Sequence, residues 1–391
     1  MKITRSSKTS LKSATAEKLK ILNEILDEYA QVTNFFIDYF WEHPEIKTKN
    51  DIKKEIYGLP ETWFTARMRQ CAAREALSMV LGAKNTENRR KSSAEREVGE
   101  LLGQEIFNDP VKPVHNGKKM TLSSQTVRIE KGRNSFDLWL VISSVGKEIE
   151  LYIPLKKHRQ FLRWENIGKT ASSVVIHRDY VQISFEIETG EKKEFGKAVG
   201  IDAGINHLMT TSEREFLGND IKPLISKIKR KRQGSKAYKR AKKELSYYIH
   251  KTVKDYFINS DLRLAVTEKL KDLKLNTEEK SKSKEFRKTL SNWNYRELLN
   301  IIQMRCEENR VFFRSVSPFE TSRKCPKCTH TQRENRKGEE FECLSCGYSE
   351  QADFVGSLNI LHRFLTGRYG AGFKTFLIYF YIFLYNLIYL G

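Results

Sequence analysis

Cysteine is scarce in this chain, and the few that occur are unevenly distributed. Only six are present among 391 residues, and four of them form two Cys-x-x-Cys pairs, Cys325 with Cys328 and Cys343 with Cys346. A secreted protein stabilised by disulfides would spread its cysteines along the chain. The first twenty residues also lack the apolar core of a signal peptide. Both absences predict a reducing, cytoplasmic setting.

Acidic residues are also under-represented. The chain has 49 Asp and Glu against 70 Lys and Arg, which gives a net charge of +21 and an isoelectric point near 9.5. Such an excess attracts polyanions through counterion release and long-range steering. DNA, RNA and an anionic membrane surface are therefore all allowed as partners, while the charge by itself specifies no fold.

Long apolar runs are missing except at the C-terminal end. Within residues 372–391 the sequence is almost entirely apolar from Phe376 to Leu390, broken only by Asn386. This run has about fifteen residues, and roughly twenty are needed to span a bilayer. Three interpretations stay open: a membrane or interface tail, a buried terminal segment, or an accidental extension. The third is favoured because "GRYGAGFKT" already reads as a finished polar end, and binding to a membrane is not expected.

The hydrophobic periodicity of the first half changes from two to about 3.6 and back. Residues 2–12 predict a short strand, and Thr15 to Trp41 predict a helix with Thr15 or Ser13 as its N-cap. A second helical block covers residues 61–85, and from about Val111 alternation predicts several short antiparallel strands. Strands at this spacing predict a small barrel or a sandwich, and a β-barrel of residues 1–13 and 111–192 with a helical lobe of residues 14–110 inserted into it would produce this order.

The second half predicts a mixed α/β domain. A buried strand at residues 198–201 ends in Asp202, and another at residues 262–266 leads to Glu268. Residues 219–256 between them predict a basic helical hairpin interrupted by Gly234. A solvated charged face is the plain alternative, but so dense a run of one sign favours a phosphate backbone. The candidate contacts are Lys229, Arg230, Lys231, Arg232, Lys239 and Arg240, with Arg67 and Arg74 of the second helical block, where a solvated face is an equal alternative.

The paired cysteines predict a zinc ribbon. Zn²⁺ takes four soft ligands in a tetrahedron, and each Cys-x-x-Cys turn presents two thiolates, so Cys325, Cys328, Cys343 and Cys346 have the required spacing. Gly347 after the second pair suits such a turn, whereas Thr329 stands after the first. A knuckle that has lost its metal and an iron site are the alternatives. A ribbon alone predicts a structural role and no catalysis.

Three carboxylates stand at the ends of predicted elements. Asp202 and Glu268 each follow a buried strand, and Asp353 begins the last predicted helix. Three converging carboxylates can hold two Mg²⁺ ions about 4 Å apart, as two-metal phosphodiester cleavage requires. Each acid taken singly is better explained as a surface or capping residue. The order Asp, Glu, Asp, with the ribbon just before the third, carries the prediction.

The same stretches resemble a known family. "GIDAGINHL", "VTEKLKDLK" and "TSRKCPKC…CLSCGYSEQADFVGSLNIL" are similar to the three RuvC motifs and inserted zinc ribbon of the TnpB family. Its members are RNA-guided nucleases of insertion sequences, related to miniature type V CRISPR effectors. The resemblance covers about residues 199–361 and is looser in the N-terminal half. It implies a multidomain α+β protein in which a RuvC-like, RNase H-like nuclease domain at residues 196–366 carries a ribbon at residues 321–350.

This resemblance implies roles for individual residues. Asp202, Glu268 and Asp353 correspond to catalytic acids that bind Mg²⁺, and the four cysteines to the ligands of a structural Zn²⁺. The family's supporting residues near the active site correspond to Asn335, Arg336 and Asn359. Thr329, Gln351 and Val355 depart from the family pattern without removing an acid.

The implied partners are a guide noncoding RNA and a DNA target, double-stranded and single-stranded, in a prokaryotic cytoplasm. The expected function is RNA-guided, Mg²⁺-dependent DNA cleavage for a transposable element. A nuclease-inactive, guide-directed DNA-binding repressor is the alternative, and a membrane-tethered nucleic-acid binder is a third. The sequence leaves open whether such a nuclease serves a transposon or a CRISPR system.

Overall fold

The computed structural model describes residues 1–98, 110–132, 135–270, 292–293 and 295–366. The chain divides into two compact units: an N-terminal unit of residues 2–188 and a C-terminal unit of Met1 with the residues from Thr189 onward. The apolar tail at residues 372–391 lies outside the described residues. Among the described residues, no helix is both long enough and apolar enough to cross a membrane.

Two long helices of the N-terminal unit arise from the predicted helical blocks. Helix α1 (Ala16–Glu42) begins at one of the two predicted caps, where the Thr15 hydroxyl accepts a hydrogen bond from the Lys18 N–H. Helix α2 spans Ala66–Val98. The buried apolar residues of α1 recur at three- and four-residue spacings, as an amphipathic helix requires. The two helices pack against each other and share one core with the strands of this unit.

The first strand of the chain pairs with the last strand of the N-terminal unit. The strands are β1 (Lys2–Ser10), β2 (Lys119–Ser123), β3 (Val127–Lys131), β4 (Leu138–Ile142), β5 (Leu151–Leu155), β6 (Gly168–His177) and β7 (Tyr180–Glu188), with a short helix α3 (Arg159–Glu165) between β5 and β6. β1 runs antiparallel to β7 along its whole length, from Lys2 opposite Glu188 to Ser10 opposite Tyr180. Both long helices are therefore inserted between β1 and its partner.

The predicted closed barrel is not found among the described strands. They form two antiparallel sheets instead, one in the order β1-β7-β6-β2 and one in the order β3-β4-β5. Alternation of apolar and polar residues predicts strands and the faces they bury, but it contains no information about whether the edges of a sheet close on each other. Strand β2 and helix α3 were also not predicted.

The C-terminal unit is built around a mixed five-stranded sheet. Its strands are β8 (Lys197–Asp202), β9 (Met209–Thr211), β10 (Phe216–Leu217), β11 (Leu262–Glu268) and β12 (Phe312–Val316), in the order β10-β9-β8-β11-β12. β8, β11 and β12 are parallel, while β9 and β10 are antiparallel to their neighbours. Parallel strands are usually covered on both faces, which explains why β8 and β11 are nearly continuous apolar runs.

Among the described residues of this unit, four α-helices and a small second sheet complete the fold. The helices are α4 (Ile221–Lys229), α5 (Lys236–Asn259), α6 (Tyr295–Glu308) and α7 (Ala352–Leu365). Helices α4 and α5 lie where the basic hairpin was predicted, and Ser235 caps α5 by accepting a hydrogen bond from the Tyr238 N–H. The short strands β13 (Arg336–Lys337), β14 (Glu340–Glu342) and β15 (Ser349–Gln351) form a three-stranded antiparallel sheet around the cysteine pairs.

Candidate active site and metal centre

The three carboxylates singled out from the sequence lie at one edge of the five-stranded sheet. Asp202 is the last residue of β8 and Glu268 the last residue of β11, and these neighbouring strands run parallel with Thr267 opposite Ile201. Asp353 is the second residue of α7, which packs on β8 and β11. The three acids thus come together at the carboxyl ends of two parallel strands and the start of one helix. Asp202 and Asp353 are 151 residues apart in the sequence.

Two glycines allow α7 to lie this close to β8. A Cβ atom at Gly200 would lie 2.1 Å from the Ser357 carbonyl oxygen, and one at Gly356 would lie 2.8 Å from Oδ2 of Asp202. A side chain at Gly200 would clash with backbone, whereas one at Gly356 would displace the Asp202 carboxylate. The contact of helix and strand therefore depends on glycine on both sides, and it sets the position of Asp353 relative to Asp202.

The electrostatics of the three acids are those of like charges held together. Burial, followed by the charges of Glu268 and Asp353, raises the pKa of Asp202 well above its ordinary value. Burial also raises the pKa of Glu268, which the Thr321 hydroxyl and the Arg336 charge partly offset. Arg336 is the cation in direct contact, since its guanidinium donates a 2.8 Å hydrogen bond to Oδ1 of Asp353. The repulsion of Asp202 by the other two carboxylates favours a cation near it.

The chemistry of this donor set fits Mg²⁺. Carboxylate oxygens are the hard ligands that this ion takes from proteins, usually through one or two carboxylates with water and phosphate completing the shell. In the described part of the chain, only the four cysteines bring three or more ligand atoms within 4.8 Å of one another, so the three carboxylates are spaced more widely. Because two-metal sites hold two ions about 3.5–4 Å apart, their ligands need not all reach one ion.

The four cysteines form a compact sulfur cluster. Their sulfur atoms all lie within 4.8 Å of one another, with 3.7 Å between Cys325 and Cys346 and 3.5 Å between Cys328 and Cys343. Ligands at about 2.3 Å from the centre of a tetrahedron are about 3.8 Å apart, so the cluster has the dimensions of a four-cysteine zinc site. The sulfurs are too far apart to be disulfides.

The sulfur cluster and the third carboxylate share a small core. The buried residues of this core are Cys325, Phe341, Cys343, Ala352 and Val355, of which the last two belong to α7. Asp353 lies between Ala352 and Val355 in the first turn of the same helix. The ribbon is thus packed directly on the turn that presents Asp353.

The three predicted supporting residues have different positions. Arg336 contacts Asp353 as described. Asn335 is buried and joins the two knuckles, since its side-chain amide donates to the carbonyls of Arg323 and His330 and its oxygen accepts from the Leu344 N–H. Asn359 donates to the carbonyl oxygens of Thr321 and Lys324, both at 2.8 Å. In the described contacts, Asn335 and Asn359 hold chain segments together rather than touching a carboxylate.

The basic candidates lie apart from the carboxylates in sequence and are mostly exposed. Lys229 ends α4, Arg230 to Arg232 form the turn after it, and Lys239 and Arg240 lie in the first turns of α5. All of these except Lys229 are exposed. In the N-terminal unit, Arg67 and Arg74 are exposed on α2, while Met68, Cys71, Ala72 and Leu77 of the same helix are buried.

Sequence reasoning missed two side chains near Glu268. The Thr321 hydroxyl lies within hydrogen-bond distance of the Glu268 carboxylate, and the Arg363 charge lowers the pKa of that carboxyl. Thr321 belongs to the stretch "TSRKC" that precedes the first cysteine pair, and Arg363 to the helix that carries Asp353. No spacing rule distinguishes them, because their proximity to Glu268 comes from the fold.

Comparisons with known sequences match parts of the chain. The family described as Cas12f1-like, TNB domain, matches residues 295–360. The CRISPR-associated endodeoxyribonuclease Cas12f1 of an uncultured archaeon is 33% identical over 75 residues, which are 17% of this chain and 14% of that protein. TnpB-like protein MJ0751 of Methanocaldococcus jannaschii is 25% identical over 227 residues, 51% of this chain and 80% of that protein. The chain thus covers only about a seventh of the Cas12f1 relative.

Comparison with solved structures shows a shared fold over most of the chain. The cryo-EM structure of a Cas12f1–sgRNA–target DNA complex matches with a TM-score of 0.53 at 15% identity, over 88% of this chain and 83% of that chain. At this identity the likeness concerns the fold: a mixed α/β, multidomain architecture.

Proposed function

Because the chain belongs to the family of TnpB-like proteins and miniature type V effectors, we propose that it is an RNA-guided DNA endonuclease whose active site is Asp202, Glu268 and Asp353. The observation that carries this proposal is the convergence at one sheet edge of three carboxylates, of which Glu268 and Asp353 raise the pKa of Asp202 through their charges. The relatives include an endodeoxyribonuclease and a complex with guide RNA and target DNA. The proposed partners are accordingly a guide RNA and a DNA target.

The three acids would hold Mg²⁺ and so bind the scissile phosphate. When bound, Mg²⁺ supplies activation of water and neutralises the charge that develops on the leaving oxygen. Arg336 keeps the Asp353 carboxylate in one orientation, and Thr321 does the same for Glu268. Base pairing with the guide would select the DNA sequence. The basic side chains of the protein would contact the phosphate backbone, which is the same for every sequence.

The zinc ribbon would be a positioning element for this site. Zn²⁺ held by Cys325, Cys328, Cys343 and Cys346 fixes the two knuckles, which pack on the first turn of α7 and carry Arg336. We assign the ribbon no step of the reaction. The remaining domain assignments stay proposals: a wedge of residues 1–13 and 111–192, a helical lobe of residues 14–110 and a nuclease domain of residues 196–366.

A transposable element is the proposed genetic context. The TnpB-like relative is matched over 80% of its own length, whereas the Cas12f1 relative is matched over 14%. DNA that flanks the gene would distinguish the two contexts, because transposon ends with an overlapping noncoding RNA differ from a repeat array.

Purification with a co-expressed guide RNA tests the proposed reaction. The protein is expected to copurify with RNA and to cut a matching DNA duplex in Mg²⁺, and Asp202→Ala is expected to abolish cutting while RNA binding stays. Asp261→Asn is the matched control, because this carboxylate precedes β11 in the same unit and its side chain is 78% exposed.

Two outcomes would contradict the proposal in different ways. If Asp202→Ala cuts DNA in Mg²⁺ as fast as the unaltered protein, the assignment of the active site is wrong. Guide-directed binding of target DNA without cutting by the unaltered protein would favour the alternative of a nuclease-inactive repressor.

A further inference from the structure

A cleft lies beside Glu268, between the last turns of α7 and the segment that leads into the ribbon. Its volume is about 250 Å³, and its lining includes Thr321, Lys324, Asn359, His362 and Arg363. The sequence predicted no bound nucleotide or anion at any of these residues. All belong to the C-terminal unit.

Two cations face this cleft, and in the described part of the chain neither forms a direct ion pair, although the Arg363 charge acts on Glu268 from a longer distance. Among the described residues, no carboxylate lies within ion-pair distance of the Lys324 ammonium or of the Arg363 guanidinium, and the latter donates only to the Ser317 carbonyl, at 3.2 Å. Glu320 also lines the cleft, so the balance of Lys324, Arg363 and Glu320 is positive. Burial, and then the Lys324 charge, lower the pKa of His362, which leaves its ring neutral and able to hydrogen-bond. The cleft is therefore suited to an anion.

The walls of the cleft are held in place and adjoin the catalytic carboxylate. Asn359, only 6% exposed, ties the 321–324 segment to α7 through its two 2.8 Å hydrogen bonds. Thr321, which lines the cleft, lies within hydrogen-bond distance of Glu268. An anion in the cleft would thus be separated from the Glu268 carboxylate by the Thr321 side chain.

An aromatic ring stands free on the same segment. Phe319 is 66% exposed, two residues before Thr321. Exposed aromatic rings beside a cationic groove are the usual platform for bases of single-stranded nucleic acid.

We infer that this cleft is a nucleotide subsite for the DNA strand being cut. Lys324 and Arg363 hold a backbone phosphate next to the scissile one, and Phe319 stacks on the adjoining base. The inference rests on the proposed function for the identity of the strand. The subsite would hold the strand in register with the three acids and so set which phosphodiester is cut.

Binding of a fluorescent single-stranded DNA oligonucleotide, measured by anisotropy over a range of salt without added Mg²⁺, tests the subsite without requiring cleavage. The guide-loaded protein is used, as the unaltered chain and as Lys324→Gln, Arg363→Gln and their double variant. The double variant is expected to lower the salt slope of log Kd by about 0.7–1.4, the value for one to two phosphate contacts of a single strand. Phe319→Ala is expected to weaken binding about fivefold or more with an unchanged slope.

Matched controls separate the subsite from general charge and general apolar surface. Arg323→Gln removes an exposed cation one residue from Lys324 that does not line the cleft, and Leu344→Ala removes an apolar side chain that is 54% exposed on the ribbon. Arg363→Lys keeps the charge at this position and is expected to keep most of the salt slope. It shows whether the effect of Arg363→Gln comes from the lost charge or from the lost hydrogen bond to the Ser317 carbonyl. If the double variant has the slope of Arg323→Gln, the inference is wrong.

A strand phosphate and a free phosphate are distinguished by two further arms. A methylphosphonate linkage, which lacks the phosphate charge, is placed at one position of the oligonucleotide at a time. At one position it is expected to weaken binding by the unaltered protein. At that position it should not weaken binding by the double variant any further. Saturation by millimolar inorganic phosphate with no dependence on Phe319 would show a free-anion site and overturn the inference. If the slope changes as expected but no DNA is cut, the subsite stands and the proposed nuclease function fails.

Discussion

Thr329 and Gly347 occupy equivalent positions in the two cysteine knuckles. Each follows a second cysteine, donates its N–H to the carbonyl of the first, and has a positive φ of 63° and 69° respectively. A glycine adopts this backbone conformation without strain, whereas a β-branched residue does so at a cost. One knuckle is therefore strained where the other is not.

Thr329→Gly is expected to stabilise the ribbon by about 1 kcal/mol, the order of the left-handed penalty for a residue with a Cβ atom. The rate of zinc release to a chelator should fall and the melting temperature should rise. Gly347→Thr is the matched reverse change and should accelerate release. Equal release rates for all three proteins would contradict a role for backbone strain.

At the scale of elements, the proposed active site depends on how one helix meets one strand. Helix α7 carries Asp353, and its position is set by the glycines of both partners and by the ribbon core around Phe341. Neither element holds a complete site. The order of the strands brings Asp202 and Glu268 together, and the packing of α7 adds the third acid.

Gly356→Ala is expected to reduce cleavage strongly while the fold persists. The added Cβ would lie 2.8 Å from Oδ2 of Asp202, so this movable carboxylate would be displaced, and alanine favours the helix by about 1 kcal/mol. Guide-loaded cleavage rates and melting temperatures are the measurements.

Two other glycines serve as references for Gly356→Ala. Gly82→Ala lies on α2, where no described residue beyond the helix's own backbone comes within 4 Å of the added Cβ, and it should leave cleavage unchanged. Gly200→Ala meets a backbone oxygen at 2.1 Å and should unfold the C-terminal unit. Full cleavage by Gly356→Ala would show that the helix is not positioned by this contact.

At the scale of the whole molecule, the basic residues that give the net charge of +21 are unevenly distributed along the chain. The turn between α4 and α5 places Arg230, Lys231 and Arg232 together in solvent. Only local density of charge distinguishes a phosphate-tracking surface from an ordinary solvated face.

Replacing Arg230, Lys231 and Arg232 by glutamine is expected to lower the salt slope of DNA-duplex binding by about 2–3, since each phosphate contact contributes about 0.9. The measurement uses Asp202→Ala, so that the duplex stays intact. Lys49, Lys53 and Lys54 are exposed and offer a control of equal charge. Equal losses in the two triple variants would show that binding follows net charge alone.

The sequence by itself determined the elements whose pattern is local. Period-two and period-3.6 hydrophobicity predicted β1, α1 and most strands of the N-terminal unit, because burial of one face requires those periods. The Cys-x-x-Cys spacing predicted the sulfur cluster, since two tight turns suffice to present four thiolates. The resemblance to the TnpB family, carried by short motifs, is confirmed by the comparisons.

Tertiary structure alone decided what depends on distant packing. Among the described residues it replaced the predicted barrel by two separate sheets, because strand patterns do not encode edge pairing. It assigned Asn335 and Asn359 to the joining of segments, and it placed Thr321 and Arg363 beside Glu268. The clustering of Asp202, Glu268 and Asp353 likewise follows from strand order and helix packing, which join positions that no local period relates.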